Sequence, residues 1–441
     1  MAKVTDWTLA SKIEHEIARI ITQQEIAGWQ FDTALATQHL EFLRDEQERL
    51  YRQIRPALEK EVVDHGVVRR PFRKDGSHTV ATRRWFDDDV CDSVSGVFSR
   101  VSFDEPELGS RQKVMKQLGR IGWKPLEFTE KGNPRLTEAS LEALSGGVGR
   151  DIALWYVYRT RESLIRSQLL PFVRPDGRIS AQAFPLGTNT GRMRHKVVVN
   201  IPKASDRVIF GRECRQLFTC RDGYLLVGHD AKGLELRMLA NEVNDPEYTE
   251  VIINGDPHIY HQHLAGLPDK DSAKTFIYAF IYGAGDSKLG GIAGGGRQRG
   301  KSLRTKFLSG NPRLEATIKR AKEEAKRGYV DGTDGRRLWM RRGGDGEFML
   351  HKALNTRLQG NGAIVMKATT VFLDKACKRE NLDVTKVGDF HDEGQAEVHP
   401  DHVERYSELC QESIVKAGKL LNIKVPLEVE VKVGQTWADT H

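Results

Sequence analysis

The segment Lys270–Gly283 limits what this chain can fold into more than any other stretch, because it repeats polar side chains at a helical interval. Each fourth position carries a lysine or a tyrosine: Lys270, Lys274, Tyr278 and Tyr282. On a helix this spacing aligns the four side chains on one face, while Gly283 is typical of a helix end. Ammonium groups bind phosphates and phenol rings stack on bases, so the face fits a nucleoside triphosphate. An amphipathic helix with solvated lysines is the alternative.

Two acidic motifs each follow a short, apolar, strand-like pattern. Asp230 follows the first pattern, and Asp392 with Glu393 follows the second. If the two strands are neighbours in a sheet, Asp230 and Asp392 meet at one edge of it. Two such carboxylates can hold two Mg²⁺ ions ~3.5–4 Å apart, as in phosphoryl-transfer sites. An ordinary hydrated turn is the alternative explanation for the second motif.

Basic residues are concentrated in two segments. The chain has 441 residues, with 68 lysines and arginines against 61 acidic residues. One basic segment extends from Arg297 to Arg342, and the other, at about residues 64–105, interleaves arginines with Phe72 and Trp85. Such surfaces suit a nucleic-acid backbone. A solvated, charge-rich helix surface is the alternative for the first segment.

The chain carries no sequence signal for a membrane or for secretion. No apolar run approaches the ~18 residues that span a bilayer, and the N-terminal residues lack an apolar signal core. We therefore expect a cytoplasmic protein with no membrane partner. The five cysteines are scattered without Cys-x-x-Cys spacing, so we expect reduced packing residues and not zinc ligands.

The order of the sequence patterns indicates a mixed fold. Helical periodicity dominates residues 8–60 and returns at about 151–170, with a polar, turn-rich stretch at 64–105 between them. Strand-like segments follow, then helical segments over 256–328, then strands again. This order predicts an α/β chain of the α+β type, in which a helical subdomain interrupts an antiparallel sheet.

Taken in order, these motifs closely resemble those of the family A, polymerase I-like DNA polymerases, especially the replicative enzymes of short-tailed phages. Three motifs carry the resemblance: Asp230 to Arg237, Lys270 to Gly283, and His391-Asp392-Glu393. Flanking segments agree: Thr190-Gly191-Arg192, Asn200-Ile201-Pro202, Gly255 to His258, Gly335-Arg336-Arg337 and Gly434 to His441. The resemblance implies a right-hand polymerase fold with thumb, palm and fingers, and no exonuclease domain.

The resemblance also implies a division of the chain. Its regions would be a thumb-like helical region with an inserted basic segment at about 64–105 (1–170), the first part of the palm (171–255), the fingers (256–350) and the second part of the palm (351–441). The acidic cluster Asp87-Asp88-Asp89 falls in the inserted segment. We expect a solvated turn there and not an exonuclease site.

Catalytic roles follow from the same resemblance. Asp230, Asp392 and the backbone carbonyl of Ala231 would hold two Mg²⁺ ions. Glu393 would support the primer terminus or the metal ligands. Lys274 would bind the triphosphate and could protonate the pyrophosphate leaving group.

Further matched residues would contact nucleotide and DNA. The nucleotide contacts would come from Lys270 and His258 at the outer phosphates, Tyr278 near the sugar and base, Tyr282 at the template side, and Glu235, which would block a ribose 2′-hydroxyl. The DNA contacts would come from Arg192, Gln359, His391, Arg336 and Arg337. Five residues depart from the family pattern: Lys232, Lys270, Gly394, Gln435 and Thr436. Lys270 replaces an arginine, which weakens phosphate binding, and Gly394 replaces an aliphatic residue, which loosens its strand.

These expectations describe a template-directed DNA polymerase that uses two Mg²⁺ ions, deoxynucleoside triphosphates and primer–template DNA, without its own 3′–5′ proofreading. We expect a monomer that could take a processivity or exonuclease partner. Glu235 argues against a single-subunit RNA polymerase. The intact Asp230, Asp392 and Lys274 argue against a catalytically weak, DNA-binding accessory protein.

Overall fold

The computed structural model describes residues 7–86, 88–105, 108–125, 127–128, 134–136, 144 and 147–441. Asp87 of the predicted acidic cluster lies outside the described residues, as do the side chains of Asp88 and Asp89. The chain divides into two compact units. The larger unit comprises the residues up to Ala36 together with Ser167–His441, and the smaller comprises Thr37–Arg166.

Helices and strands are numbered along the chain. The helices are α1 Thr8–Ala27, α2 Thr33–Ile54, α3 Val80–Arg83, α4 Asp88–Cys91, α5 Arg111–Arg120, α6 Gly147–Ser163, α7 Gly211–Gln216, α8 Leu234–Val243, α9 Pro246–Asn254, α10 Pro257–Ala265, α11 Lys270–Ile281, α12 Asp286–Ile292, α13 Arg297–Ser309, α14 Pro312–Ala325, α15 Ala353–Arg379 and α16 Val403–Leu420. The strands are β1 Trp29–Phe31, β2 Glu61–Val68, β3 Phe98–Asp104, β4 Glu127–Phe128, β5 Pro134–Arg135, β6 Arg178–Ile179, β7 Gln182–Phe184, β8 Arg194–Lys196, β9 Phe218–Thr219, β10 Leu225–Ala231, β11 Tyr329–Asp331, β12 Arg337–Trp339, β13 Val384–Phe390, β14 Glu393–Val398 and β15 Val429–Gly434.

Four antiparallel strands form the main sheet of the larger unit, in the order β13-β14-β10-β15. Strand β10 carries Asp230, and its neighbour β14 begins directly after Asp392. Helices α8 to α15 lie between β10 and β13 along the chain. The predicted antiparallel sheet, interrupted in sequence by a helical region, is therefore confirmed.

Helix α15 is buried along almost its whole length in the core of the larger unit. Helix α1 packs against it. Inside this core Lys367 is only 2% exposed, and its ammonium group donates to Glu14 Oε1 at 2.6 Å and to the Pro185 carbonyl at 2.9 Å. A buried ammonium needs such partners because it has lost its hydrating water.

Arg336 belongs to the same buried network, which corrects its predicted role in DNA binding. It is 4% exposed. Its Nη2 lies 2.7 Å from Asp334 Oδ2, and its Nη1 donates to Glu14. Because both ends of the guanidinium are paired inside the protein, Arg336 is not available to a DNA phosphate in this structure. The neighbouring Arg337 lies over the ring of Tyr329, at 4.6 Å from its centroid.

The helix predicted from the lysine and tyrosine spacing is α11. It begins at Lys270, where the side chain of Asp269 accepts a hydrogen bond from the Ser272 amide. The face opposite the lysines is buried, as predicted: Ala273, Phe276, Ile277 and Phe280. The chain leaves the helix at Gly283, which has a φ of +76°, a conformation that favours glycine.

A short strand interrupts the helical region predicted for residues 8–60. Gly28, with a φ of +69°, follows α1. Strand β1 then pairs with β6 on one side and with β9 on the other. The helical prediction was therefore wrong for Trp29–Phe31, whose conformation depends on two distant strands.

The smaller unit has its own core and a protruding hairpin. Helices α2, α5 and α6 contribute its buried apolar side chains: Leu50, Ile54, Val114, Leu118, Ile152 and Val157. The inserted segment at 64–105 is mostly the hairpin β2–β3 with α3 and α4. On this hairpin Val62 pairs with Phe103, and each is 63% exposed.

Two sequence expectations concern the chain as a whole. Among the described helices, none combines the length and the apolar content that a membrane crossing requires. All five cysteines are buried and none forms a disulfide, which agrees with their expected role as reduced packing residues.

Candidate active site

Asp230 and Asp392 lie at the same end of the main sheet. The amide of Ala231, which follows Asp230, donates to the carbonyl of Asp392 at 3.0 Å. Asp392 and His391 form the turn between β13 and β14, and His391 has a φ of +58°. The structure therefore brings together the two carboxylates that the sequence predicts to meet.

The carboxylates crowd one another. Asp230 is directly opposite Glu393 on one neighbouring strand, β14, and directly opposite Glu430 on the other, β15. Burial, with added repulsion from Asp392, Glu393 and Glu430, raises the pKa of Asp230 to about 7. Burial also raises the pKa of Asp392. Ionised carboxylates so close together are stabilised by a nearby cation.

The donor set fits a hard divalent cation. The described residues contain no group of three or more His, Cys, Asp or Glu side chains arranged to hold a metal. Asp230, Asp392 and the carbonyl of Ala231, the three ligands predicted from the sequence, offer a smaller set of oxygen atoms at the end of the main sheet. Mg²⁺ is commonly bound by one or two carboxylates, with water and substrate phosphates as the remaining ligands. The crowding of carboxylates that raises the pKa of Asp230 agrees with binding of a cation at this place.

Glu393, which was predicted to support the primer terminus or the metal ligands, is not a free carboxylate. It is 5% exposed. Its Oε1 accepts hydrogen bonds from Trp437 Nε1 and, at 2.7 Å, from Gln395 Nε2, while His441 Nδ1 lies 2.8 Å from Oε2. Although burial alone would raise the pKa of Glu393, the hydrogen bond and charge of His441 and the charge of Arg215 lower it overall.

The two lysines of the α11 face differ in whether they have an ion-pair partner. The ammonium of Lys270 lies 2.5 Å from Asp256 Oδ2, so it is already paired with the residue that caps α10. Lys274 is exposed and has no ion pair with any described residue. Burial, together with the charge of Lys274, lowers the pKa of His258. Lys274 is thus the unpaired cation of this face, and His258 lies beside it.

The aromatic part of the face is linked to Glu235. The hydroxyl of Tyr282 donates to Glu235 Oε2 at 2.7 Å, and Arg192 Nη2 lies 3.0 Å from Glu235 Oε1. Burial raises the pKa of Tyr278, and the charges of Glu235 and Asp392 raise it further. The phenol of Tyr278 is therefore close to both acidic motifs, and the side chain of Glu235 is held from two sides.

Two cavities adjoin these residues. The smaller, about 220 Å³, collects predicted DNA and nucleotide contacts among its lining residues: Arg192, Tyr282, Gln359 and His391. The larger, about 600 Å³, is lined by Asp230 and Asp392 and by basic side chains that the sequence did not single out: His195, Lys203, Arg215, Lys432 and His441. The larger cavity thus adjoins the carboxylate pair itself, and the smaller one adjoins the neighbouring His391.

Sequence reasoning missed Glu430, Arg215 and His441 as members of this site. Glu430 could have been suspected from the alternating strand pattern of β15, but the pattern does not say that β15 lies beside β10. Arg215 lies 4.1 Å from the centroid of the Trp437 ring, and its Nε donates to the Pro202 carbonyl at 2.8 Å. Nothing local marks such tertiary contacts.

Comparisons with known proteins agree with this arrangement. The model of DNA polymerase family A matches residues 86–439. The DNA-directed DNA polymerase of Escherichia phage Phieco32 is 36% identical over 69% of this chain and 62% of the phage protein. The DNA-directed DNA polymerase of Escherichia phage T7 is 30% identical over 98% of this chain and 70% of the phage protein. The chain thus spans 62% of one relative and 70% of the other.

A solved structure shares the fold. It is the POL domain of Pol1 from M. smegmatis in complex with DNA primer-template and dNTP. It matches with a TM-score of 0.75 at 20% identity, and the match covers 97% of this chain and 70% of that chain. At this identity the likeness concerns the fold, and it confirms the expected fold class.

Proposed function

The chain belongs to DNA polymerase family A, and from this membership we propose that it extends the 3′ end of a primer on a DNA template, using deoxynucleoside triphosphates. One observation carries the proposal. The two motif carboxylates, Asp230 and Asp392, lie together at the end of the sheet. The lysine and tyrosine face of α11 lies beside the first motif, because Tyr282 donates to Glu235 at 2.7 Å, and the charge of Asp392 contributes to the raised pKa of Tyr278.

We further propose that Asp230, Asp392 and the Ala231 carbonyl hold two Mg²⁺ ions. When bound, Mg²⁺ supplies charge stabilisation for the attacking and leaving oxygens of a phosphoryl transfer. The contribution of the protein is mostly positioning and charge. The free ammonium of Lys274 would hold the triphosphate and donate a proton to the departing pyrophosphate. His258, beside it, and Lys270 would contact the outer phosphates.

We assign the selection of deoxyribose over ribose to Glu235. Its carboxylate is held between Tyr282 and Arg192, so it has little freedom to move away from a ribose 2′-hydroxyl. Tyr278 would pack against the sugar and base of the incoming nucleotide. Arg192, Gln359 and His391, which line one cavity, would contact the primer–template duplex.

The remaining parts of the proposal concern the working form of the protein. We propose a monomer that acts in the cytoplasm, that of the host if a phage encodes it, and that has no 3′–5′ proofreading site of its own. The match to a POL domain over 97% of this chain supports the last of these points, because it assigns these residues to polymerase structure. The exposed apolar pair Val62 and Phe103 on the hairpin β2–β3 is a candidate surface for a processivity partner. The proposed division of the chain is unchanged. It assigns the thumb to residues 1–170, the first part of the palm to 171–255, the fingers to 256–350 and the second part of the palm to 351–441.

Primer extension with two variants tests the proposed site. We expect Asp230→Asn and Asp392→Asn each to lower the rate of nucleotide addition by about a thousandfold or more. The physical reason is that each loses roughly 4 kcal/mol of transition-state stabilisation with a metal ligand. Binding of labelled primer–template should persist, and chelation of Mg²⁺ should stop extension by the wild-type protein.

Asp222→Asn is the matched control, because Asp222 is exposed and lies outside the site. It should extend primers at the wild-type rate. Extension by Asp230→Asn or Asp392→Asn at a rate near that of the control would refute the proposed site.

A further inference from the structure

The turn that carries Asp392 is closed by one residue pair. Phe390, the last residue of β13, is directly opposite Glu393, the first residue of β14. His391 and Asp392 lie between them, with His391 in the left-handed region at a φ of +58°. The position of the Asp392 carboxylate therefore depends on how firmly Phe390 and Glu393 are held.

Both closing residues are held by the same short segment, Trp437–His441. The indole ring of Trp437 stacks on Phe390, with 5.0 Å between the centroids and 20° between the planes. Its Nε1 donates to Glu393. His441 Nδ1 lies 2.8 Å from the other oxygen of Glu393. Because an ionised carboxylate only accepts hydrogen bonds, Nδ1 of His441 is the donor.

The segment itself is fixed from behind. The amide of Trp437 donates to the Phe218 carbonyl at 2.9 Å, and its ring contacts Trp29 at 5.0 Å and Phe218 at 5.3 Å. Thr440 adds a hydrogen bond of 2.9 Å to Gln395. The indole N–H thus reaches Glu393 from a rigid aromatic cluster, and so it can act as a fixed donor.

We propose that Trp437 and His441 are positioning residues, which hold Glu393 and through it the turn that presents Asp392. This inference deepens the proposed function and depends on it. Neither side chain needs to touch nucleotide or metal. Loss of either contact would let the turn shift, and a metal ligand displaced by a fraction of an ångström loses catalytic rate.

Four variants test the inference by primer extension, Mg²⁺ titration and thermal unfolding. His441→Ala removes the donor, and His441→Asn returns an N–H group near the same place. Trp437→Phe keeps an aromatic ring on Phe390 but removes the indole N–H. His263→Ala is the matched control, because His263 is exposed and lies on α10, outside the site.

For His441→Ala we expect kcat to fall about tenfold, because a hydrogen bond to a charged group is lost. The Mg²⁺ concentration for half-maximal rate should rise severalfold, while KM for the nucleotide and the melting temperature stay close to wild type. His441→Asn should recover most of kcat, Trp437→Phe should also lower kcat, and His263→Ala should match wild type.

If Asp392→Asn is inactive, the proposed function stands, and either of two results would overturn this inference by itself. One is a His441→Ala protein with wild-type kcat and Mg²⁺ dependence. The other is a His441→Asn protein as slow as His441→Ala, because the donor then has no role. An active Asp392→Asn protein would instead refute both the proposed function and this inference.

Discussion

His229 and Gly394 fit together across two strands at the scale of single residues. They are directly opposite each other on β10 and β14. A Cβ atom on Gly394 would lie 2.3 Å from Cε1 of the His229 ring. The ring is 1% exposed and its nitrogens have no hydrogen-bond partner among the described residues. Burial, with the charge of Lys386, lowers the pKa of His229 to about 4, so the ring is neutral at pH 7. It occupies the space that an aliphatic side chain at position 394 would take.

A double-mutant cycle tests this fit. We expect Gly394→Ala to lower the free energy of unfolding by about 1–3 kcal/mol, because the added methyl group displaces the ring. His229→Ala should also destabilise the protein. The double variant should lose at least about 1 kcal/mol less than the sum, because the missing ring makes room for the methyl group. Urea unfolding measures the three values, and strictly additive losses would contradict the contact.

Glu235 is the residue on which sugar selection depends. We expect Glu235→Ala to raise ribonucleotide incorporation by at least about tenfold, because no side chain then excludes the 2′-hydroxyl. Tyr282→Phe removes one of the two contacts that hold Glu235, and so its effect should be smaller. Single-nucleotide incorporation with matched ribo- and deoxynucleotides measures both. An unchanged ratio in Glu235→Ala would assign Glu235 to structure alone.

At the scale of elements, the end of α11 is fixed by Gly283. Its φ of +76° disfavours other residues, and a Cβ atom there would lie 2.9 Å from the His351 carbonyl oxygen. We expect Gly283→Ala to cost about 1–3 kcal/mol, measured by thermal unfolding. Gly285→Ala is the matched control, because its φ is −70° and a Cβ atom there meets nothing within 4 Å. Equal stability of the two variants would show that the backbone at Gly283 is not constraining.

Elements set by local spacing were the part of the site that the sequence could predict. The α11 face follows from a four-residue interval, which a helix alone determines. The meeting of Asp230 and Asp392 needed one assumption, that β10 and β14 are neighbours, and the structure confirms it.

Elements and side chains set by distant partners were beyond sequence reasoning. Strand β1 exists because Trp29 pairs with Ile179 and Gln30 with Thr219, and no local pattern encodes those pairings. Arg336 looked like a free cation because its partner Glu14 is 322 positions away. Two of the three hydrogen bonds that occupy Glu393 come from residues 44 and 48 positions away. A charged side chain alone does not show whether water or a buried partner surrounds it.

At the scale of the whole molecule, the proposal gives this chain one catalytic centre. We expect the pure protein with Mg²⁺ and a labelled, 3′-mismatched primer–template, without nucleotides, to leave the primer at full length. The reason is that the proposal places its catalytic carboxylates, Asp230 and Asp392, at the end of the main sheet and assigns no second site. Gel analysis over time measures the result. Shortening from the 3′ end that persists in Asp230→Asn and disappears when Asp87, Asp88 and Asp89 are replaced would contradict the proposal.

The buried contact between Glu14 and Lys367 joins residues 353 positions apart. At a synthesis rate of about 5–20 residues per second, α1 leaves the ribosome tens of seconds before α15 exists. Its apolar side chains Ile13, Ile17 and Ile21, all buried in the finished core, lack their largest packing partner, α15, during that time. The nascent chain therefore exposes part of an amphipathic helix until α15 has been made. Holdase chaperones bind such a surface, and the yield of active protein in the cell then depends on their supply.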